Sequence, residues 1–328
     1  MIKCGIIGAG AWGTAISTII KSEKIYIWSR NKITINQINN KKTNKYLKGI
    51  KLPTNIFATS EFKDFEQCEY FFITTPTQHT SEILKNLSKY KIKKNFVICS
   101  KGIEVKSGKF LSQIILEIFP NANIGILSGP SFAIEVAKKF PTAALLASKN
   151  KKFFNSVCNI LHNSNFRLYY SSDVLGCQLG GAIKNVYAIG SGIVSGLNLG
   201  ENARSAFISR SFAEIIRLSK RLGTKEKTFF GLSGLGDLVL TCGSKQSRNT
   251  EFGEIISKNN SKKIMNIIKS KKTITEGYYT TKALFKISKK YKIEMPILKS
   301  IYKILYNQAN IKKEIKTILG RRIKKEFY

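Results

Sequence analysis

From residue 2 to about residue 171, short runs of β-branched and aromatic residues alternate with segments whose apolar positions recur at helical spacing. The runs predict strands at Ile2–Ile7, Ile25–Trp28, Ile56–Ala58, Tyr70–Thr74, Phe96–Ser100, Ile124–Leu127, Ala143–Ala147 and Phe166–Tyr170. Ser81–Ser88, Phe110–Ile118 and Lys151–Leu161 read as helices between them. CGIIG, YFFIT and NFVICS are apolar without alternation, the pattern of strands in a parallel sheet covered by helices on both faces. After Tyr170 the strand pattern stops. Asp173 opens DVLGCQLGGAIKNVYAIGSGIVSGL, a stretch of small residues with apolar positions at helical spacing, and everything downstream reads as helical. Pro296 followed by Ile297, Ile301, Ile304 and Leu305 predicts an amphipathic helix with proline in its first turn. The expected fold class is α/β: a doubly wound sheet over residues 1–172, then an all-α domain over residues 173–328.

Composition and charge narrow the class. The 328 residues are 43% hydrophobic and 23% charged with only 6 Pro, which suits a globular chain and excludes disordered and collagen-like ones. No apolar run approaches the roughly 18 residues of a bilayer span, and the chain runs straight into MIKCGIIGAGAWG without a signal-like start. A cytoplasmic protein is expected. The six cysteines are scattered singly and accompanied only by His79 and His162, so they read as reduced thiols, with no metal site. Lys and Arg number 55 against 20 Asp and Glu, a formal +35 that attracts anions, phosphorylated metabolites among them. The lysines are spread among Ile and Asn from end to end, which reads as amino-acid usage filling solvated positions. Nucleic-acid binding on a dinucleotide fold is the competing class; it needs a basic stripe with interleaved aromatics, which the sequence lacks.

Candidate chemistry begins at Gly8-Ala9-Gly10-Ala11-Trp12-Gly13, a G-x-G-x-x-G directly after a predicted strand and opening a predicted helix. Gly8 suits the tight turn, Gly10 lets a pyrophosphate approach the backbone, and Gly13 lets helix and strand pack closely. The N-terminal domain is therefore expected to be Rossmann-like and to bind a dinucleotide, with Trp12 on the ligand side. Where an NAD-selective site usually offers an acid, the chain reads Trp28-Ser29-Arg30-Asn31, and Arg30 weighs modestly toward NADPH over NADH. Ser100-Lys101-Gly102 and Ser128-Gly129-Pro130-Ser131 follow the fifth and sixth predicted strands, where open sheets bind ligands. Ser131 is placed to cap a helix beginning near Phe132. Lys184 stands in a small-residue helix that otherwise avoids charge, a setting for general acid/base chemistry. Gly231–Leu238 is a glycine-rich stretch whose acid, Asp237, is expected to approach Lys184. Ser247-Arg248-Asn249-Thr250 places a hydroxyl, a guanidinium and an amide before a helical run, an anion site in principle or a plain helix cap.

With GAGAWGTA, LSGPSFAIEVA, QLGGAIKNVYAIGSGIVSGL, SGLGDLVLTC, QSRNTEFG, TEGYYTTK and EMPI in order, the chain resembles the bacterial NAD(P)-dependent glycerol-3-phosphate dehydrogenases over essentially its whole length. The resemblance implies reversible reduction of dihydroxyacetone phosphate to sn-glycerol 3-phosphate for phospholipid synthesis, with NADPH or NADH as cofactor. It implies Lys184 as general acid/base, Asp237 orienting it, and Lys101 touching both cofactor and substrate. Gly129 and Ser131 then match the substrate loop, while Ser247, Arg248 and Asn249 match the phosphate end, Arg248 also lying near the cofactor. Ala11, Trp12, Arg30, Ala133, Ile274 and Glu276 fall at cofactor positions; Ala11, Ala133 and Ile274 offer only backbone groups or packing. A homodimer is plausible on the same ground. Thr77 where many relatives have serine, and Ile274 for valine, are mild departures. The active site is expected where the two domains meet. A related two-domain dehydrogenase acting on another β-hydroxy or 2-keto acid would not need the Ser247-Arg248-Asn249 group.

Overall fold

In the computed structural model, which describes residues 2–259, 261–270, 275–323 and 325–326, every predicted strand is present. They are β1 (Lys3–Ile7), β2 (Lys24–Trp28), β3 (Ile56–Thr59), β4 (Tyr70–Ile73), β5 (Asn95–Ile98), β6 (Asn123–Ser128), β7 (Thr142–Ala147) and β8 (Phe166–Ser171). They form one sheet in the order β3-β2-β1-β4-β5-β6-β7-β8. Neighbours are parallel except β6 and β7, which pair antiparallel. The order reverses at β1, so the chain leaves β1 and β4 toward opposite sides and opens a crevice at their carboxyl ends.

Alternate residues of each inner strand feed two apolar clusters. Ile6, Ile25, Ile27, Phe72 and Val97 belong to one, and Ile7, Tyr26, Trp28, Phe71, Ile73, Phe96 and Ile98 to the other. Both faces are thus covered, which is why the strands are apolar throughout. Each such side chain contributes roughly 1.5–3 kcal/mol by leaving water. Cysteines share this core: burial pushes the thiols of Cys4, Cys68 and Cys177 up to about 12.

One predicted helix begins earlier than its pattern indicated, at Thr77–Leu87 in place of Ser81–Ser88. Pro76 is its N-cap, and the Thr80 hydroxyl donates back to the Pro76 carbonyl at 3.0 Å, so polar Thr77 and Gln78 enter the first turn.

Because β7 runs against β6 and β8 follows β7, the chain leaves β8 at the edge where β6 begins. The helix Val174–Gly196 then runs back along β6, with Cys177 Sγ 3.8 Å from the Ile126 carbonyl oxygen. Asp173 caps its start, accepting the Gly176 N–H at 2.9 Å, and also accepts the Lys225 N–H and the Thr228 hydroxyl at 2.9 and 2.7 Å. Backbone proximity divides the chain into two units, Met1–Gly181 with Thr224–Asp237, and Ala182–Gly223 with Leu238–Tyr328. This differs from a single cut at 172/173, since Asp173 fastens a later segment to the sheet-bearing unit.

In the second unit all the described regular structure is helical, including Gly200–Leu222, Arg248–Ser257, Glu276–Lys290, Pro296–Tyr306 and Ile311–Leu319. Pro296 sits in the first turn, and Ile297, Ile301, Ile304 and Leu305 are buried, as the pattern predicted. Glu214, 1% exposed, organises this unit. Its Oε1 accepts the Ile297 N–H at 2.6 Å, and its Oε2 accepts the Leu298 N–H at 3.1 Å and the Tyr187 hydroxyl at 2.9 Å. Burial nevertheless outweighs these donors and nearby Arg217, raising the carboxyl from 4.5 to about 7. An acid whose folded pKa is raised contributes stability fully below the unfolded value and loses it as pH rises through the folded one. Stability of the second unit should therefore fall as pH rises from 4.5 to about 7, by on the order of 3 kcal/mol at most. Denaturant titrations across that range should show a flatter profile for Glu214→Gln; an unchanged slope would contradict the assignment.

Candidate active site

The glycine loop leaves β1 with Gly8 at φ +125°, in the left-handed region that glycine tolerates. The Thr74 hydroxyl, at the end of β4, donates to the Gly8 carbonyl at 2.9 Å and holds the turn. Gly10 is the N-cap of the helix Ala11–Ser17, with no side chain closing its first turn and open space where a Cβ would stand. A methyl on Gly13 would overlap the Gly8 carbonyl oxygen, so helix and turn meet backbone to backbone. The Trp12 indole Nε1 is buried with no hydrogen-bond partner. A bare, forward-facing helix start and an unmatched indole N–H fit a dinucleotide pyrophosphate beside them. At the end of β2, Arg30 is exposed, its guanidinium 6.0 Å from the Trp28 ring, and Asn31 caps the next helix by accepting the Thr34 N–H.

Beyond β5, Lys101 turns its ammonium to Asp237 Oδ2 at 2.5 Å and to the Gly129 carbonyl at 3.2 Å. Asp237 is fully buried and the Lys101 side chain is 16% exposed, so the pair is charge-assisted and largely out of water. Asp237 reaches it from the π turn Leu232–Gly236. Gly129, at φ +152°, follows β6. Ser131 does not cap a helix: the helix is Ala133–Ala137 and its N-cap is Phe132. Starting one residue later than expected, the helix leaves Ser131 outside capping reach, and its hydroxyl donates to the Gly129 carbonyl at 3.0 Å. Ala133, the first helical residue, has only a backbone N–H to offer.

In the second unit Lys184 is buried, the one lysine so placed among the described residues, and its ammonium donates to the Thr241 hydroxyl at 2.8 Å. Ser247 is the N-cap of Arg248–Ser257 and accepts the Thr250 N–H at 3.2 Å. Arg248 is exposed, and Asn249 is largely committed inward. Asn249 Nδ2 donates to Asn185 Oδ1 at 3.0 Å, while Oδ1 accepts the Gly277 N–H at 3.0 Å, beside Glu276. Ile274 lies outside the described residues. Sequence reasoning missed Thr241 and Asn185. The available signals were spacing and adjacency: Thr241 follows Asp237 by one helical turn, and Asn185 follows Lys184 directly.

Family models meet this geometry in both halves. The N-terminal model of NAD-dependent glycerol-3-phosphate dehydrogenase matches residues 3–154, and the C-terminal model matches residues 173–316. The chain belongs to the NAD-dependent glycerol-3-phosphate dehydrogenase family. It is 39% identical to a glycerol-3-phosphate dehydrogenase [NAD(P)+] of Zymomonas mobilis, over 98% of this chain and 94% of that protein. A second such protein, from Maricaulis maris, is 39% identical over 97% of this chain and 96% of its own length. The crystal structure of a glycerol-3-phosphate dehydrogenase from Coxiella burnetii superposes with a TM-score of 0.91 at 32% identity, covering 98% of this chain and 99% of that one. Family membership makes the chain an NAD(P)-dependent oxidoreductase. No described helix is long and apolar enough to cross a membrane.

Within this family member the Lys101–Asp237 pair has an energetic signature. Removing one member of a buried ion pair typically costs about 3–5 kcal/mol, whereas removing both costs less. Lys101→Met should lose about 3 kcal/mol in denaturant titrations, and adding Asp237→Asn should return part of that loss. Strict additivity of the two substitutions would contradict the pairing.

Proposed function

We propose that the chain catalyses reversible reduction of dihydroxyacetone phosphate to sn-glycerol 3-phosphate, the backbone unit of glycerophospholipids. The observation that carries this reading is Lys184: a buried ammonium with a hydroxyl partner, on a segment matched by the family's C-terminal model. When bound, a reduced nicotinamide dinucleotide supplies hydride to the carbonyl carbon. The Gly8 turn and the helix start at Gly10 would hold its pyrophosphate, Gly13 letting helix and turn meet closely, and Trp12 and Arg30 are the side chains that would face the dinucleotide.

The residues' own tasks follow from charge. As the C2 carbonyl becomes an alkoxide, the C=O π pair moves to oxygen and Lys184 gives that oxygen a proton; in reverse the neutral amine takes it back. Thr241 holds the lysine's rotamer. Lys101, oriented by Asp237, supplies a second positive charge for substrate, and Gly129 and Ser131 shape the loop beside it. Arg248 and the helix start capped by Ser247 suit the remote phosphate, with Asn249 holding the Gly277 N–H. Binding at the phosphate offsets the entropy of orienting a three-carbon substrate.

Absorbance loss of reduced nicotinamide with dihydroxyacetone phosphate tests the reaction. Lys184→Ala should lower kcat by at least about a thousandfold while fluorescence titration shows NADPH binding unchanged; lost cofactor binding would make Lys184 structural. No turnover by folded wild type with either cofactor would overturn the proposal. Arg30→Ala should reduce kcat/KM for NADPH about tenfold relative to NADH. An unchanged ratio would remove Arg30 from cofactor selection.

A further inference from the structure

We infer that Gly180 and Gly181 are positioning residues, adjacent bare positions on the helix Val174–Gly196 that set the two members of the Lys101–Asp237 pair against each other. The inference rests on the reading above that this pair serves the reaction. Lys101 and Asp237 lie 136 residues apart in the chain; the lysine stem lies against one of these neighbours and the turn leading to Asp237 against the other.

Gly181 faces the lysine. A methyl there would lie 3.4 and 3.5 Å from Lys101 Cγ and Cδ, and 2.7 Å from Ser128 Oγ. The lysine stem therefore runs over bare helix backbone, with Ser128 beside it. Gly180 faces the acid's turn. A methyl there would overlap the Ser233 carbonyl oxygen and stand 3.5 Å from the Gly234 Cα, both in the turn Leu232–Gly236 that delivers Asp237.

The turn has no room to retreat. Gly234 is pressed against the Phe229 backbone on its other side, where a methyl would overlap the Phe229 carbonyl oxygen. Upstream, Asp173 ties Lys225 and Thr228 to the start of the same helix. Alanine is the better helix former, so helix propensity alone would favour substitution at both positions. Close approach of main chain is what requires glycine at Gly180; at Gly181 an added methyl would displace the Ser128 hydroxyl beside the lysine stem.

The two contacts differ in kind, and the difference gives the test. Gly181 is opposed by a side chain, the Ser128 hydroxyl, which is buried without a hydrogen-bond partner and can be trimmed. Gly180 is opposed by a main-chain carbonyl, which no substitution removes.

The experiment measures kcat, KM for dihydroxyacetone phosphate, NADPH dissociation constant and thermal midpoint in the full chain. Gly181→Ala should lower kcat/KM about tenfold with NADPH affinity within about twofold of wild type. Ser128→Ala in that background should return most of the loss, measured against Ser128→Ala alone. In a Lys101→Ala background, Gly181→Ala should cost less than about threefold, because its effect passes through the lysine. Gly180→Ala should lose at least about tenfold, with no recovery from Ser233→Gly. If Gly181→Ala fails to fold, the double variant with Ser128→Ala is the decisive protein; its failure to fold or to turn over would also overturn the inference. Gly181→Ala within twofold of wild type, or an undiminished cost in the Lys101→Ala background, overturns it too. Full activity of Lys101→Ala would instead remove the reading on which it rests.

Discussion

Close approach of backbone to one helix is the constraint on which the rest of the structure depends. Val174–Gly196 is poor in side-chain bulk, so other chain segments come to touching distance of its main chain. In the sheet-bearing unit its Gly180 and Gly181 meet the turn before Asp237 and the stem of Lys101. In the helical unit a methyl on Gly192 would overlap the Thr250 carbonyl oxygen, which brings the start of Arg248–Ser257 against the same helix. Lys184 stands between these glycines in sequence. The charged groups assigned to the reaction thus depend on positions that carry no functional group of their own.

The antiparallel β6–β7 pairing determines how that helix arrives. A sheet parallel to its end would have released the chain at the carboxyl edge. With β7 and β8 reversed, the chain exits at the opposite edge and the helix must climb back along β6, reaching Ser128 at Gly181. Asp173 secures the base of the climb, and its three hydrogen bonds join the helix start to the segment leading toward Asp237. Sheet topology and the placement of one ion pair are consequences of the same reversal.

Much of this was legible in the sequence because it depends on local pattern. Strands apolar on both faces, Gly8-Ala9-Gly10-Ala11-Trp12-Gly13 between strand and helix, and Pro296 opening an apolar stripe are all decided within about ten residues. The illegible parts depend on contacts between distant residues. Ser131 has the right type for a helix cap, and only a one-residue shift in helix start sends its hydroxyl to Gly129. Asn249 reads as an outward ligand, yet Asn185 and Gly277 claim most of its amide. The Lys101 partner of Asp237, at 2.5 Å, lies 136 residues away in the chain, and no local pattern points to it. Lysine is so frequent here that type alone marks nothing; burial distinguishes Lys184 from its many solvated counterparts.

Hydride destination is the most direct test of the chemistry. The wild-type protein, given dihydroxyacetone phosphate and nicotinamide cofactor deuterated at the transferring position, should yield sn-glycerol 3-phosphate with one deuterium at C2, read by mass spectrometry and NMR. Cofactor oxidation that leaves C2 unlabelled would contradict direct hydride transfer to this substrate, and a labelled product of the opposite configuration would contradict sn-glycerol 3-phosphate as the product.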